Sequence, residues 1–195
     1  MQTDTIVVLA LAAALVYLIW DTYANAGVEY VLSSIDGRKY SVRSLPDKQG
    51  AADLLATINR NFASLIKHME RTVPSDDRLL RIVKNYRPDA LSEGADDGKY
   101  TSYSVNKGER LVFCLRARDG TNRLEDINTM MFVALHELAH LASESIGHTK
   151  EFWQNFKWIL TEAINIGIYQ DQDYKAKPKD YCGIKITDSP LHNKI

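Results

Sequence analysis

The chain has 195 residues, 45% hydrophobic and 25% charged, a globular composition sized for one domain with a small appendage. Twenty-four Lys and Arg against twenty-five Asp and Glu give a net charge of −1, without the basic excess of a dedicated nucleic-acid binder. Two cysteines, Cys114 and Cys182, exclude a disulfide-rich scaffold and a four-cysteine zinc site, and leave room for one disulfide.

From Ile6 to Trp20 the sequence IVVLALAAALVYLIW carries no charge, Gly or Pro, and Asp4 and Asp21 bound it. Counted from Thr5, a helix here rises about 24 Å, slightly short of a bilayer's hydrocarbon core. Thr22 and Tyr23 can extend it, and Trp20 and Tyr23 suit the headgroup level. The expectation is a single-pass membrane anchor through residues 5–23, within a segment 1–26 that precedes a domain 27–195. Arg38, Lys39, Arg43 and Lys48 follow the segment and no basic residue precedes it, which leans toward a cytosolic C-terminal domain. The alternative is a signal peptide cut after Ala24-Asn25-Ala26, releasing a secreted protein, although residues 1–5 lack the usual basic group.

Residues 28–43 read as a β-hairpin around an Asp36-Gly37 turn. Residues 51–73 form an amphipathic helix, with Leu55, Ile58, Phe62, Leu65 and Met69 at three-four spacing. Pro74 ends it, and Ser75 can cap a second helix from Asp76 to about Tyr86. His68 falls on the polar side of the first helix and reads as a solvated residue. Residues 87–99 are a polar loop. Tyr100–Val105 alternates like a strand, and Arg110–Arg116 is a second one with both faces apolar, as in a sheet interior. That makes Cys114 a core residue rather than a nucleophile. Ile127 to about Ser143 is a helix apolar nearly all round, hence central to the core. Ile146-Gly147 breaks the chain, and Thr149 caps a last helix from Lys150 to about Ile166. The tail past Tyr169 is polar except for residues 181–186, and His192 reads as solvated there.

The chemistry is carried by His136-Glu137-Leu138-Ala139-His140, an HExxH pattern. Four residues along a helix turn about 400°, so both imidazoles project from one face, one turn apart, able to share a Zn²⁺. Glu137, rotated by about 100°, is free to work as general base on the water that the metal activates. A third ligand is needed. His148 is the first candidate, because the break at Ile146-Gly147 lets the chain turn back. Glu144 and Glu151 are its rivals, and Glu144 is also a candidate partner for an imidazole. Tyr103 and Tyr181 could donate to a tetrahedral oxyanion, but packing is the expected role of both.

HELAHLASESIGHTKEFW, with TSYSVNKGERLVFCLR before it and YCGIKITDSP after it, resembles the WLM and SprT (Spartan)-like zinc metallopeptidases, and within them WLM-like proteins of large DNA viruses. The resemblance implies an α+β, zincin-like fold (minimal gluzincin/SprT-like), with a small antiparallel sheet beside the HExxH helix. Carried over by position, it implies His136, His140 and His148 as zinc ligands and Glu137 as the catalytic glutamate. The stretch Leu141–Gly147 is longer than the family pattern. It also implies that Tyr100–Val105 or Arg110–Arg116 borders the substrate cleft, where an extended peptide could pair. The combined expectation is a membrane-tethered zinc endopeptidase with one zinc per chain and a protein or peptide substrate. The alternatives are a non-catalytic zinc-containing binding module on a protease fold, and a secreted protease.

Overall fold

A computed structural model of the chain describes residues 2–24, 27–95 and 101–193. Helix α1 spans Gln2–Ala24. Ile6, Leu11, Val16 and Trp20 all lie largely exposed. Among the described residues, no helix is long and apolar enough to cross a membrane. This overturns the expected single-pass anchor through residues 5–23 and the membrane localisation built on it. The physical reason is length: the uncharged run rises about 24 Å where a bilayer core needs about 30 Å. Part of the Ala24-Asn25-Ala26 cleavage pattern, residues 25 and 26, lies outside the described residues.

Strands β1 (Val28–Leu32) and β2 (Lys39–Arg43) form the expected hairpin, in register from Val28 opposite Arg43 to Leu32 opposite Lys39. Gly37 takes the left-handed φ of +70° that the turn requires. Helix α2 runs Lys48–Thr72 and buries Leu55, Ile58, Phe62, Leu65 and Met69. Helix α3 (Asp77–Asn85) is capped by Asp76 rather than Ser75; the Asp76 carboxylate accepts from the Arg78 N–H. His68 is not simply solvated: its Nε2 lies 3.1 Å from Glu162 on the last long helix.

The main departure from the sequence reading falls in the expected loop 87–99. After a single 3₁₀ turn, Pro88–Ala90, the chain forms strand β3 (Leu91–Glu93), with all three residues buried. Residues 96–99 of that expected loop, and Tyr100 of the expected strand, lie outside the described residues. Strands β4 (Tyr103–Val105) and β5 (Arg110–Phe113) follow. The five-stranded sheet has the order β1-β2-β3-β5-β4. The expectation of an antiparallel sheet is corrected to a mixed one. β1/β2 and β4/β5 are antiparallel, but β3 runs parallel to both β2 and β5. The α2–α3 crossover causes this, because it returns the chain to the sheet in β2's own direction. β5 is therefore interior, with Leu111, Val112 and Phe113 buried, and β4 is an edge.

Helices α4 (Ile127–Ala142) and α5 (Lys150–Asn165) complete the core. α4 packs against α2, α3, α5 and β4, which is why its sequence is apolar nearly all round. A C-terminal hairpin, β6 (Lys179–Tyr181) and β7 (Ile184–Ile186), forms a separate two-stranded sheet. It is joined to the end of β5 by the Cys114–Cys182 disulfide. Cys114 is thus buried, as expected, and also bonded.

Candidate metal centre

α4 begins at Asp126, whose carboxylate accepts from the Thr129 N–H at 2.9 Å and from the Thr129 hydroxyl at 2.8 Å. From that start the helix carries His136 and His140 on one face, with ring centroids 5.1 Å apart. The helix stops at Ala142, and two cations hold its last carbonyls. Arg81 Nε donates to the Ala142 carbonyl at 2.6 Å, and Lys107 Nζ donates to the Ser143 carbonyl at 2.7 Å.

The stretch 144–148 then folds back. Gly147 supplies a φ of +81°. The Glu151 carboxylate accepts from the backbone N–H groups of Glu144 (2.8 Å) and Ser145 (3.0 Å), and from the Ser145 hydroxyl (2.7 Å). These bonds hold the Glu151 carboxyl down to about 2, chiefly through the Ser145 hydroxyl and then the Glu144 N–H. The extra length of this stretch is thereby absorbed, and His148 arrives with Nε2 2.9 Å from His136 Nε2. One nitrogen from each of His136, His140 and His148 lies within 4.8 Å of the others. These three imidazoles could hold one metal ion. Neither rival joins them: Glu144 is ion-paired to Arg81 at 2.9 Å, and Glu151 is committed to the loop. The two cysteines are bonded to each other and provide no thiolate.

The aromatic face of α5 fixes the rings. Phe152 stacks on His140 at 4.4 Å, Phe156 meets His136 edge-on at 5.2 Å, and Trp153 lies 5.7 Å from His148. Burial first, and then the neighbouring imidazoles, push His136 down to about 3. Burial and His148 lower His140 to about 4. Both are therefore neutral at pH 7, the state in which imidazole ligates metal.

Glu137 is 4% exposed. Desolvation pushes its carboxyl up to about 7, although the hydroxyl and N–H of nearby Ser104 pull the other way. It faces a cleft of about 460 Å³ between the β4 segment and the His148 loop. Ser102, Tyr103 and Ser104 form one wall of this cleft, residues 145–148 the other, and His136, Glu137 and His140 the floor.

Sequence reasoning missed Arg81, Lys107 and Ser104, because each reaches the site from a segment distant in the chain. Asn106, Lys107 and Gly108 all take positive φ in the turn that brings Lys107 to the site. Of the two tyrosines, Tyr103 lines the cleft, whereas Tyr181 is buried behind its wall. His192 lies apart from the site, 3.0 Å from Asp171.

The WLM domain model matches residues 36–193. The chain is 34% identical to uncharacterized protein R325 of Acanthamoeba polyphaga mimivirus over 98% of its own length and 100% of that protein. It is 26% identical to uncharacterized protein 136R of Invertebrate iridescent virus 6, covering 93% of this chain and 99% of the relative. A shorter match, 40% identical over 84 residues, covers 43% of this chain and 50% of uncharacterized protein 042R of Invertebrate iridescent virus 3. No solved structure matches the chain. The match across 36–193 and the length-spanning mimivirus relative make the chain a member of the WLM domain family.

Proposed function

We propose that this protein is a zinc-dependent endopeptidase, with His136, His140 and His148 holding the metal and Glu137 serving as general base. The observation that carries this reading is the convergence of three imidazole nitrogens within 4.8 Å on the floor of the cleft that Glu137 also faces. The donor set fits: neutral nitrogen ligands suit zinc, and three protein ligands leave the open position of a catalytic rather than a structural site. When bound, zinc supplies Lewis acidity toward the scissile carbonyl.

The chain's own residues do the rest. Glu137 takes a proton from water in the cleft and returns it to the leaving amine, and a carboxyl near 7 is matched to both transfers. Ser104, on the β4 side of the cleft, favours the ionised form of the Glu137 carboxyl. An extended peptide would add to the edge strand β4, since β5 is enclosed between β3 and β4.

The test is Glu137→Gln in the full chain, assayed for zinc content and for cleavage of a denatured protein. The variant should keep about one zinc per chain and lose about 100-fold or more in cleavage rate. Full activity in the variant would refute the reading.

A further inference from the structure

The C-terminal hairpin meets the cleft wall at the open end of β4–β5. Tyr181, which ends β6, is 2% exposed. Its hydroxyl donates to the Cys114 carbonyl at 2.9 Å. With that single proton committed, the Ser102 hydroxyl donates to the Tyr181 oxygen at 2.7 Å. The Cys114 N–H donates to Ser102 Oγ at 3.0 Å. The three residues thus close a ring in which both hydroxyls give and accept. Such a closed set orients its members more strongly than isolated pairs would.

Ser102 lines the cleft together with Ser104, two residues further on, and Glu137. One residue beyond Tyr181, Cys182 is bonded to Cys114, so the hairpin is fixed covalently at the same place. Packing alone does not require the hydroxyl, since phenylalanine would fill nearly the same volume.

We propose, resting on the peptidase reading of the cleft, that Tyr181 is a positioning residue for Glu137. Through Ser102 it sets the wall that carries Ser104, and the Cys114–Cys182 disulfide keeps it in place. The link is conditional on oxidation. A dithiol reduces it in two exchanges: one thiolate attacks a sulfur to form a mixed disulfide, and the second thiol displaces the protein sulfur. The dithiol leaves as a disulfide, and Cys114 and Cys182 each gain a proton as thiols. Among the described hydrogen bonds, none joins this ring to His136, His140 or His148, so metal binding does not depend on it.

The test is Tyr181→Phe in the full chain, read by hydrogen exchange, zinc content and steady-state kinetics. Exchange at residues 101–105 should rise roughly ten-fold, the loss of about one to two hydrogen bonds. kcat should fall by a comparable factor, with KM and zinc content unchanged. A merely structural role would instead raise exchange throughout α4 and lower zinc content.

Reducing the metal-free wild-type chain with dithiothreitol, with both thiols counted, should speed exchange at 101–105 and 179–186. The same reduction should add less in Tyr181→Phe. Reduction of the folded wild type tests the link even if the variant folds poorly. Unchanged exchange at 101–105 in both experiments overturns the proposal. Faster exchange there in a wild-type chain that cleaves no peptide supports the coupling while the peptidase reading fails, so the two failures are distinguishable.

Discussion

Arg116→Met should be among the most damaging single substitutions away from the cleft. Arg116 is 2% exposed, and its Nε donates to Glu93 at 2.7 Å. Its Nη1 reaches both oxygens of Asp47, at 2.6 and 2.7 Å. The Glu93 side chain is 1% exposed, and its second oxygen accepts from the Arg43 N–H at 2.7 Å. Methionine would keep most of the packed stem but strand a carboxylate in the middle of the sheet. Breaking a buried pair from one side costs about 3–5 kcal/mol. For a chain of this size that lowers Tm by roughly 6–20 °C.

The reverse change is milder. Glu93→Gln still accepts from Arg43, and Arg116 keeps Asp47, which is 47% exposed and therefore hydrated. About 1–2 kcal/mol is expected for it. The double variant should cost less than the sum by about 1.5–3 kcal/mol, because removing the charge on Glu93 removes the reason that losing Arg116 is costly. Urea unfolding of the four chains measures this, with equal m-values required for the comparison. A loss below about 1 kcal/mol for Arg116→Met, the value of an exposed pair, would refute the reasoning. So would strict additivity in the double variant.

Asp126→Ala removes the cap of α4 and should cost about 1–2 kcal/mol in urea unfolding, whereas Asp126→Asn should cost little. Glu151→Gln should weaken zinc binding several-fold in competition with a chromophoric chelator, because the amide cannot serve both the Glu144 and Ser145 N–H groups and the Ser145 hydroxyl as the carboxylate does. For the metal-free chain, stability should fall on acidification. The stability from His136 and His140, whose folded values are depressed to about 3 and 4, is complete above about 6.5 and is lost as pH falls through those values. Glu137, raised to about 7, acts oppositely: its contribution is complete below about 4.5 and lost as pH rises through 7. Glu137→Gln should therefore steepen the acid loss between pH 7 and pH 4 in urea titrations, and an unchanged slope would contradict the assignment.

The strongly periodic elements were legible because their signals are local. The β1–β2 hairpin, α2, α4 and α5 follow from apolar spacing and turn residues. Thr149 caps α5 as its sequence suggests, with its hydroxyl accepting from the Phe152 N–H. β3 was hidden because Leu91-Ser92-Glu93 is too short to show a period and ends in a charge. Arg116 and the Arg43 N–H, both distant in the chain, make that charge tolerable inside a sheet. The apolar run at 6–20 misled in the other sense, since composition suggested a span where length falls short.

By itself, the sequence determined which residues stand one helical turn apart. His136 and His140 must share a face, with Glu137 about 100° further round the helix, because 3.6 residues per turn fixes those angles. It left the third ligand open among His148, Glu144 and Glu151. Tertiary structure decided the rest: the return of His148 over a lengthened loop, the diversion of Glu144 to Arg81 and of Glu151 to the loop backbone, and the placing of Ser104 and Glu137 in one cleft. It also decided the mixed sheet and the disulfide that binds the C-terminal hairpin behind the cleft. These depend on contacts between segments far apart in the chain, whose partners are selected by the packing of the whole core.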